Sequence, residues 1–304
     1  MSRSFGRGDA AVHALRHVGL TVEQGETVGL LGANGAGKTT LLKVVSTLLL
    51  PTEGTVRVAG FDVVKQTREA RRHLAVVLGG ERGFYGRLNA RDNIRYFGIL
   101  SGLSRRAAAR RGEEVLEQVG LIDVADRAVE TYSKGMKQRL HIATGLLITP
   151  KLLMLDEPTV GLDPIEAERV RESIAELRGS GVTVLLTSHY LVDIERLARR
   201  VVILQAGQIT HDLPLERLME QASAAAEVSL SGPGRPPQAT KEIMHGVRVV
   251  RGGPTEAGWN VTFEVSDWSP EALRALADLW PEAEVSEVRV LPANLESVFA
   301  QLTR

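Results

Sequence analysis

Thr27-Val-Gly-Leu-Leu31-Gly32-Ala-Asn34-Gly35-Ala36-Gly37-Lys38-Thr39-Thr40 is the stretch on which the reading of the chain turns. Its first five residues form a short apolar run after the turn-like Gln24-Gly25-Glu26, the pattern of a strand buried on both faces. From Lys38 the apolar residues fall at Leu41, Val44, Val45, Leu48 and Leu49, a helical spacing that predicts a helix running to Pro51. Between the two lies Gly-x4-Gly-Lys-Thr, a phosphate-binding loop. Its glycines let backbone N–H groups turn inward on phosphate oxygens, Lys38 can reach β- and γ-phosphates, and the Thr39 hydroxyl can ligate Mg²⁺.

Outward from this loop, two more apolar runs read as buried strands, Leu152 to Leu155 and Val182 to Leu186. The first continues into Asp156-Glu157-Pro158. On a strand beside the loop strand, Asp156 is placed to hold a metal through water, and Glu157 to polarise a water near the terminal phosphate. The second continues into Thr187-Ser188-His189, and a His at the C-terminal end of a strand in an open α/β sheet faces the ligand crevice. Asp163-Pro164-Ile-Glu166 opens a helix, with Asp163 as cap, Pro164 at the first helical position and Glu166 completing a capping box. Tyr132-Ser133-Lys134-Gly135-Met136-Lys137-Gln138 opens another, running to about Leu147, with Ser133 as its cap. Alternating strands and helices argue for a parallel α/β sheet. Residues 89–147, Ala- and Arg-rich and helical in pattern, read as a helical insertion. Val201 to Leu204, Gly207 and Gln208 to His211 read as a closing hairpin, and Leu215 to Ala225 as a bridging helix.

Beyond about residue 225 the pattern becomes α+β. Strands are expected near Glu227–Leu230, Val247–Val250, Trp259–Val265 and Val285–Leu291, and helices near Ala239–His245, Pro270–Trp280 and Asn294–Leu302. That order, β-α-β-β-α-β, is the ferredoxin-like arrangement. Trp259, Trp268 and Trp280 all lie there, which points to a separate core. The expected division is therefore 1–220, with a helical subdomain at about 84–147, and a 225–304 accessory domain.

Composition narrows the chemistry. The 304 residues carry 37 Lys plus Arg against 37 Asp plus Glu, so no broad electrostatic attraction for nucleic acid is expected. There is no cysteine, which excludes disulfides, thiolate metal sites and a cysteine nucleophile. The seven His are scattered without ligand spacing. No segment has the length and apolarity of a signal peptide or a membrane span, so an intracellular chain is expected, with membrane association only through a partner.

Taken in order, the phosphate loop, Tyr132-Ser-Lys-Gly-Met136, Leu155-Asp-Glu-Pro158, Val160-Gly-Leu-Asp163 and Ser188-His189 resemble the nucleotide-binding subunits of the ATP-binding cassette (ABC) family over residues 4–215. The resemblance implies a parallel-sheet core with an antiparallel β subdomain and a helical insertion, binding ATP and Mg²⁺. It places Gly32, Asn34, Gly35, Ala36, Gly37, Lys38, Thr39 and Thr40 on the phosphates, and Phe5 on the adenine, with Val12 or His13 as the other residues placed to pack there. Ser133 and Gly135 would bind the γ-phosphate of ATP held by an opposite subunit, and Asp163 would cross the dimer interface. Lys38, Glu157 and His189 would carry catalysis, with Thr39, Asp156 and Glu81 at the metal. Two departures bear on this. The signature reads Tyr-Ser-Lys-Gly-Met rather than Leu-Ser-Gly-Gly-Gln, keeping the Ser and the second Gly. Gly80 stands where the family has a glutamine, so either Glu81 takes its place or Mg²⁺ keeps an extra water.

Asn34-Gly-Ala-Gly-Lys-Thr-Thr40, the small C-terminal unit and Leu295-Glu-Ser-Val-Phe299-Ala-Gln-Leu302-Thr are similar to the drug- and antibiotic-exporter branch, the daunorubicin-resistance ATPases. This implies a separate ABC permease as partner, a homodimer or pairing with a paralogue, no nucleic acid, and a place at the cytoplasmic face of the membrane. Phe84, Tyr85, Tyr96 and Phe97 then read either as the core of the insertion or as a groove for the permease's coupling helix. The competing reading is a soluble regulatory or non-transport ABC ATPase.

Overall fold

The computed structural model describes residues 1–6, 11–78, 83–220, 226–235, 242–244, 246–255, 258–266, 269–280, 284–292 and 295. They group into two compact units, Met1–Leu215 and Glu216–Arg304. The strands are β1 (Arg3–Phe5), β2 (Val12–Leu15), β3 (Thr27–Leu31), β4 (Arg57–Val58), β5 (Phe61–Asp62), β6 (Leu74–Val77), β7 (Leu152–Asp156), β8 (Thr183–Thr187), β9 (Arg200–Gln205), β10 (Gln208–Pro214), β11 (Ala226–Gly232), β12 (Glu242–Met244), β13 (Val247–Thr255), β14 (Gly258–Val265) and β15 (Glu287–Pro292). The helices are α1 (Lys38–Val45), α2 (Thr67–Arg71), α3 (Ala90–Leu100), α4 (Arg105–Gln118), α5 (Lys134–Leu146), α6 (Pro164–Glu176), α7 (Leu191–Leu197), α8 (Leu215–Glu220) and α9 (Pro270–Asp278).

The first unit is built on a six-stranded sheet in the order β10-β9-β3-β8-β7-β6, parallel except for β10. Every residue of β3 and of β8 is buried, as their unbroken apolar runs require. One expectation is corrected here: β8 lies between β3 and β7, so the acidic strand is not the neighbour of the loop strand. The consequence is chemical, because the end of β8 sets Thr187 beside Asp156 at the end of β7. Antiparallel pairs β1–β2 and β4–β5 flank the sheet, and α3, α4 and α5 form the helical insertion.

α1 ends a turn earlier than its apolar spacing predicts. Thr47 turns left-handed (φ 66°), and the N–H groups of Thr47 and Leu48 return to the carbonyls of Val44 and Lys43. This is a Schellman close built on a β-branched residue, where glycine is the usual signal. Arg71 Nε donates to Thr47 Oγ1 (2.6 Å) and holds the corner.

In the second unit the sheet runs β12-β13-β14-β11-β15, with every pair antiparallel. Apart from β12, this is the strand order of the ferredoxin-like fold. Trp259 and Phe263 are fully buried, and Trp280 packs against both, at 5.7 Å between ring centroids in each case. The helix expected over Ala239–His245 is corrected where it can be seen: Glu242–Met244 is a strand beside β13. Trp268 and, apart from the buried Leu295, the helix expected at Asn294–Leu302 lie outside the described residues.

Candidate functional site

The loop between β3 and α1 is shaped by close packing beneath it. Gly37 sits at φ 107°, and a Cβ there would meet the Ala14 carbonyl oxygen at 2.5 Å. Gly35, at the exposed crest, is also left-handed (φ 82°). Only glycine takes both positions without cost. α1 opens on Gly37 with no side-chain cap, whereas α3, α4, α5 and α6 are capped by Asn89, Ser104, Ser133 and Asp163. The first N–H groups of α1 are thus left for a ligand, and the helix dipole favours an anionic one. The buried Lys38 donates from Nζ to the carbonyls of Gly32 (2.7 Å) and Ala33 (3.3 Å), which holds its ammonium over the loop.

The strand ends complete the site. Thr39 Oγ1 donates to Asp156 Oδ2 (3.3 Å), and Thr187 Oγ1 donates to Asp156 Oδ1 (2.7 Å). Glu157, one residue past β7, has a left-handed backbone (φ 51°), uncommon for a residue with a Cβ. Its N–H is held by the Thr187 carbonyl and hydroxyl, both at 3.1 Å. Its carboxylate Oε2 lies 2.9 Å from His189 Nδ1, and the Tyr190 ring packs tilted against the imidazole, 4.1 Å between centroids. With an ionised carboxylate, that bond requires the proton on Nδ1. The structure therefore joins Thr39, Asp156, Glu157 and His189 in one cluster, with Thr187 at its centre.

Thr187 and Asp193 were not read from the sequence. Asp193 is fully buried and accepts from Thr159 Oγ1 (2.5 Å), Ser188 Oγ (2.7 Å) and Arg171 Nε (2.8 Å). It ties the segments after β7 and β8 to α6. A polar residue four positions past His189 on a short helix carries no local signal for this. Asp193→Ala removes the buried acceptor shared by Thr159, Ser188 and Arg171 and leaves Arg171 its Glu168 partner alone (3.0 Å), so a loss of about 1–3 kcal/mol is expected. A marked fall in the melting temperature checks it, and an unchanged one refutes it.

A second cluster sits elsewhere. Ser133 Oγ accepts from Met136 N (3.1 Å), and Lys134 Nζ donates to the Gly161 carbonyl (3.2 Å). A Cβ on Gly135 would collide with Glu166 of α6. Asp163 Oδ1 accepts from the N–H groups of Ile165 and Glu166, both at 3.0 Å, which is the expected cap. The other half of the expected capping box is corrected: the Glu166 carboxylate pairs with Arg169 (3.0 Å) and faces Arg139 (3.8 Å) instead of the Asp163 N–H. Burial presses the Arg139 guanidinium below its ordinary pKa, with Glu166 opposing. Among the described residues, no hydrogen bond or ion pair links Ser133, Gly135 or Asp163 to the phosphate loop.

Phe5 is part-exposed on β1, with Arg3 above its ring at 4.5 Å, and pairs with the exposed Val12. Gly80 and Glu81 lie outside the described residues. Phe84, Tyr85, Tyr96 and Phe97 form a chain of edge-on rings 5.1 to 5.7 Å apart. Phe84 also packs on His141 at 4.2 Å, whose pKa burial lowers.

A phosphate loop on the strand beside β8, with two carboxylates closing β7 and a histidine closing β8, defines a P-loop nucleoside triphosphatase. A protein-family profile described as "ABC transporter" matches residues 15–160. The chain is 41% identical over 219 residues to the ABC transporter ATP-binding protein NatA of Bacillus subtilis (strain 168), covering 72% of this chain and 89% of the relative. It is 36% identical over 296 residues to the daunorubicin resistance ATP-binding protein DrrA2 of Streptomyces coeruleorubidus, covering 95% and 90%. Among solved structures, a dimeric ATP-binding cassette in a post-hydrolysis state bound to ADP and Pi matches with a TM-score of 0.62 and 25% identity, over 70% of this chain and 96% of the other. The chain belongs to the ABC transporter family, as an ATP-binding, ATP-hydrolysing subunit. Among the described residues no helix is long and apolar enough to cross a membrane.

Proposed function

We propose that this subunit powers export of a drug-like, antibiotic or lipid-like substrate through a separate membrane permease, at whose cytoplasmic face it sits. The names of its relatives, which include a bacitracin transport ATP-binding protein of Bacillus licheniformis, support the export reading. The carrying observation is the contact of Glu157 with His189, beside Asp156 and Thr39. Lys38 and the N–H groups of residues 35–40 hold the phosphates, and Phe5 stacks on the adenine. Thr39 Oγ1 and the Asp156 carboxylate are hard oxygen donors beside the phosphate loop and fit Mg²⁺, which keeps waters and takes few protein ligands. Bound there, the ion would neutralise phosphate charge.

Glu157 accepts a hydrogen bond from the attacking water and draws off its proton as the new P–O bond forms and the bond to ADP breaks. His189 positions Glu157 and offers its imidazole to the γ-phosphate. Ser133 and Gly135 of a second subunit, together with Asp163, close the site across a dimer of this chain or of this chain with a paralogue. Opening and closing of that dimer drives the permease.

The test is ATP turnover with and without the co-expressed permease. Transport coupling is expected to raise the rate and to keep the two proteins together through purification. A chain that hydrolyses ATP identically alone, and does not co-purify, overturns the reading in favour of a non-transport ATPase.

A further inference from the structure

Among the described residues, β15 closes one edge of the C-terminal sheet and pairs with β11 alone, in an unbroken register from Ala226↔Pro292 to Ser231↔Glu287. The opposite edge is blunted by β12, which is three residues long. Natural edge strands are commonly shortened, bulged or armed with lysine, because a straight free edge templates pairing with another chain. β15 has no bulge and no lysine; it ends on Pro292, and among the described residues its unpaired flank carries exposed apolar side chains around the charged pair Glu287 and Arg289. Val285, Val288, Val290 and Leu291 are each between 41% and 52% exposed. Val288 and Val290 stand opposite Leu230 and Val228, two buried core residues, and so continue the core face to an uncovered rim.

The order of side chains says what fits there. Alternation puts Val285, Glu287, Arg289 and Leu291 on one face and Ser286, Val288 and Val290 on the other. Let the strand run antiparallel to its own copy about a two-fold axis at Val288. Glu287 then faces Arg289 of the other copy, and Arg289 faces Glu287. Val285 faces Leu291 on both sides of that pair, and Val288 meets itself. The strand is complementary to its own reversal in charge and in apolarity, which is what an isologous contact demands. In the single chain, Arg289 Nε and Glu287 Oε1 satisfy each other along the strand at 3.0 Å, on exposed side chains free to exchange partners.

We infer that β15 is a homodimerisation edge: two copies of the chain join their C-terminal sheets antiparallel at Val288 into one ten-stranded sheet. This contact needs no nucleotide and is separate from ATP-driven closure of the cassettes.

Sedimentation velocity of the nucleotide-free full-length chain tests it. A dimer is expected, and Glu287→Arg or Arg289→Glu, which set like charges opposite each other at two places, should each weaken it by about tenfold. The double variant Glu287→Arg/Arg289→Glu restores the complementarity and should recover wild-type association, which a variant that simply misfolds would not do. Because the chain has no cysteine, Val288→Cys supplies a single thiol. It should crosslink to itself through a short bis-maleimide, whereas Val250→Cys, exposed on β13, should not. A nucleotide-free chain that stays monomeric at about 100 µM overturns the inference. So does a double variant that fails to recover, or crosslinking at Val250 equal to that at Val288.

Discussion

Glu157→Gln is expected to bind ATP as the wild type does and to hydrolyse it about 10²–10⁴-fold more slowly, the range that a positioned general base contributes. The amide keeps the shape of the side chain and can still meet His189 Nδ1, which lies 2.9 Å from the carboxylate in the native site. It loses the charge that polarises water. The backbone hydrogen bonds to Thr187 use the Glu157 N–H, so they survive the change. The ATP-loaded state should therefore accumulate, visible as unhydrolysed ATP that stays with the protein through gel filtration. Wild-type turnover in this variant would remove Glu157 from the chemistry.

Lys38→Ala acts one step earlier. The ammonium is held over the loop by two carbonyls, and in the proposed reading it is the cation on the terminal phosphates. Charge-assisted bonds of this kind contribute about 1.5–3 kcal/mol each, so a loss of 10- to 100-fold or more in ATP affinity is expected. Calorimetric titration of nucleotide into the variant measures it. Affinity equal to wild type would mean that the loop does not bind phosphate through this lysine.

What the sequence made legible was the part whose signals are local. The phosphate loop is a contiguous motif, and the strands bearing Asp156 and His189 are unbroken apolar runs, so β3, β7 and β8 emerged within a residue of their observed ends. Their neighbour relations did not emerge. Nothing in Leu152–Glu157 says that β8 intervenes, and hence nothing marks Thr187 as the residue that holds both the Asp156 carboxylate and the Glu157 N–H. Asp193 escaped for the same reason, its three partners coming from three separate segments. The early end of α1 depends on a left-handed threonine, against the rule that reserves that corner for glycine. Glu166 shows the limit of a motif. The spacing of a capping box was present, yet Arg139 and Arg169 offered the carboxylate cationic partners.

The left-handed backbone at Glu157 sets activity against durability. A side chain in that conformation carries of order 1–3 kcal/mol of strain, which glycine would release. With Glu157 as the proposed base, directed evolution scored on heat resistance alone would favour glycine at this position and would return robust cassettes that hydrolyse ATP far more slowly. Any library meant to harden this protein should hold position 157 constant and look for gains in loops that never meet the nucleotide.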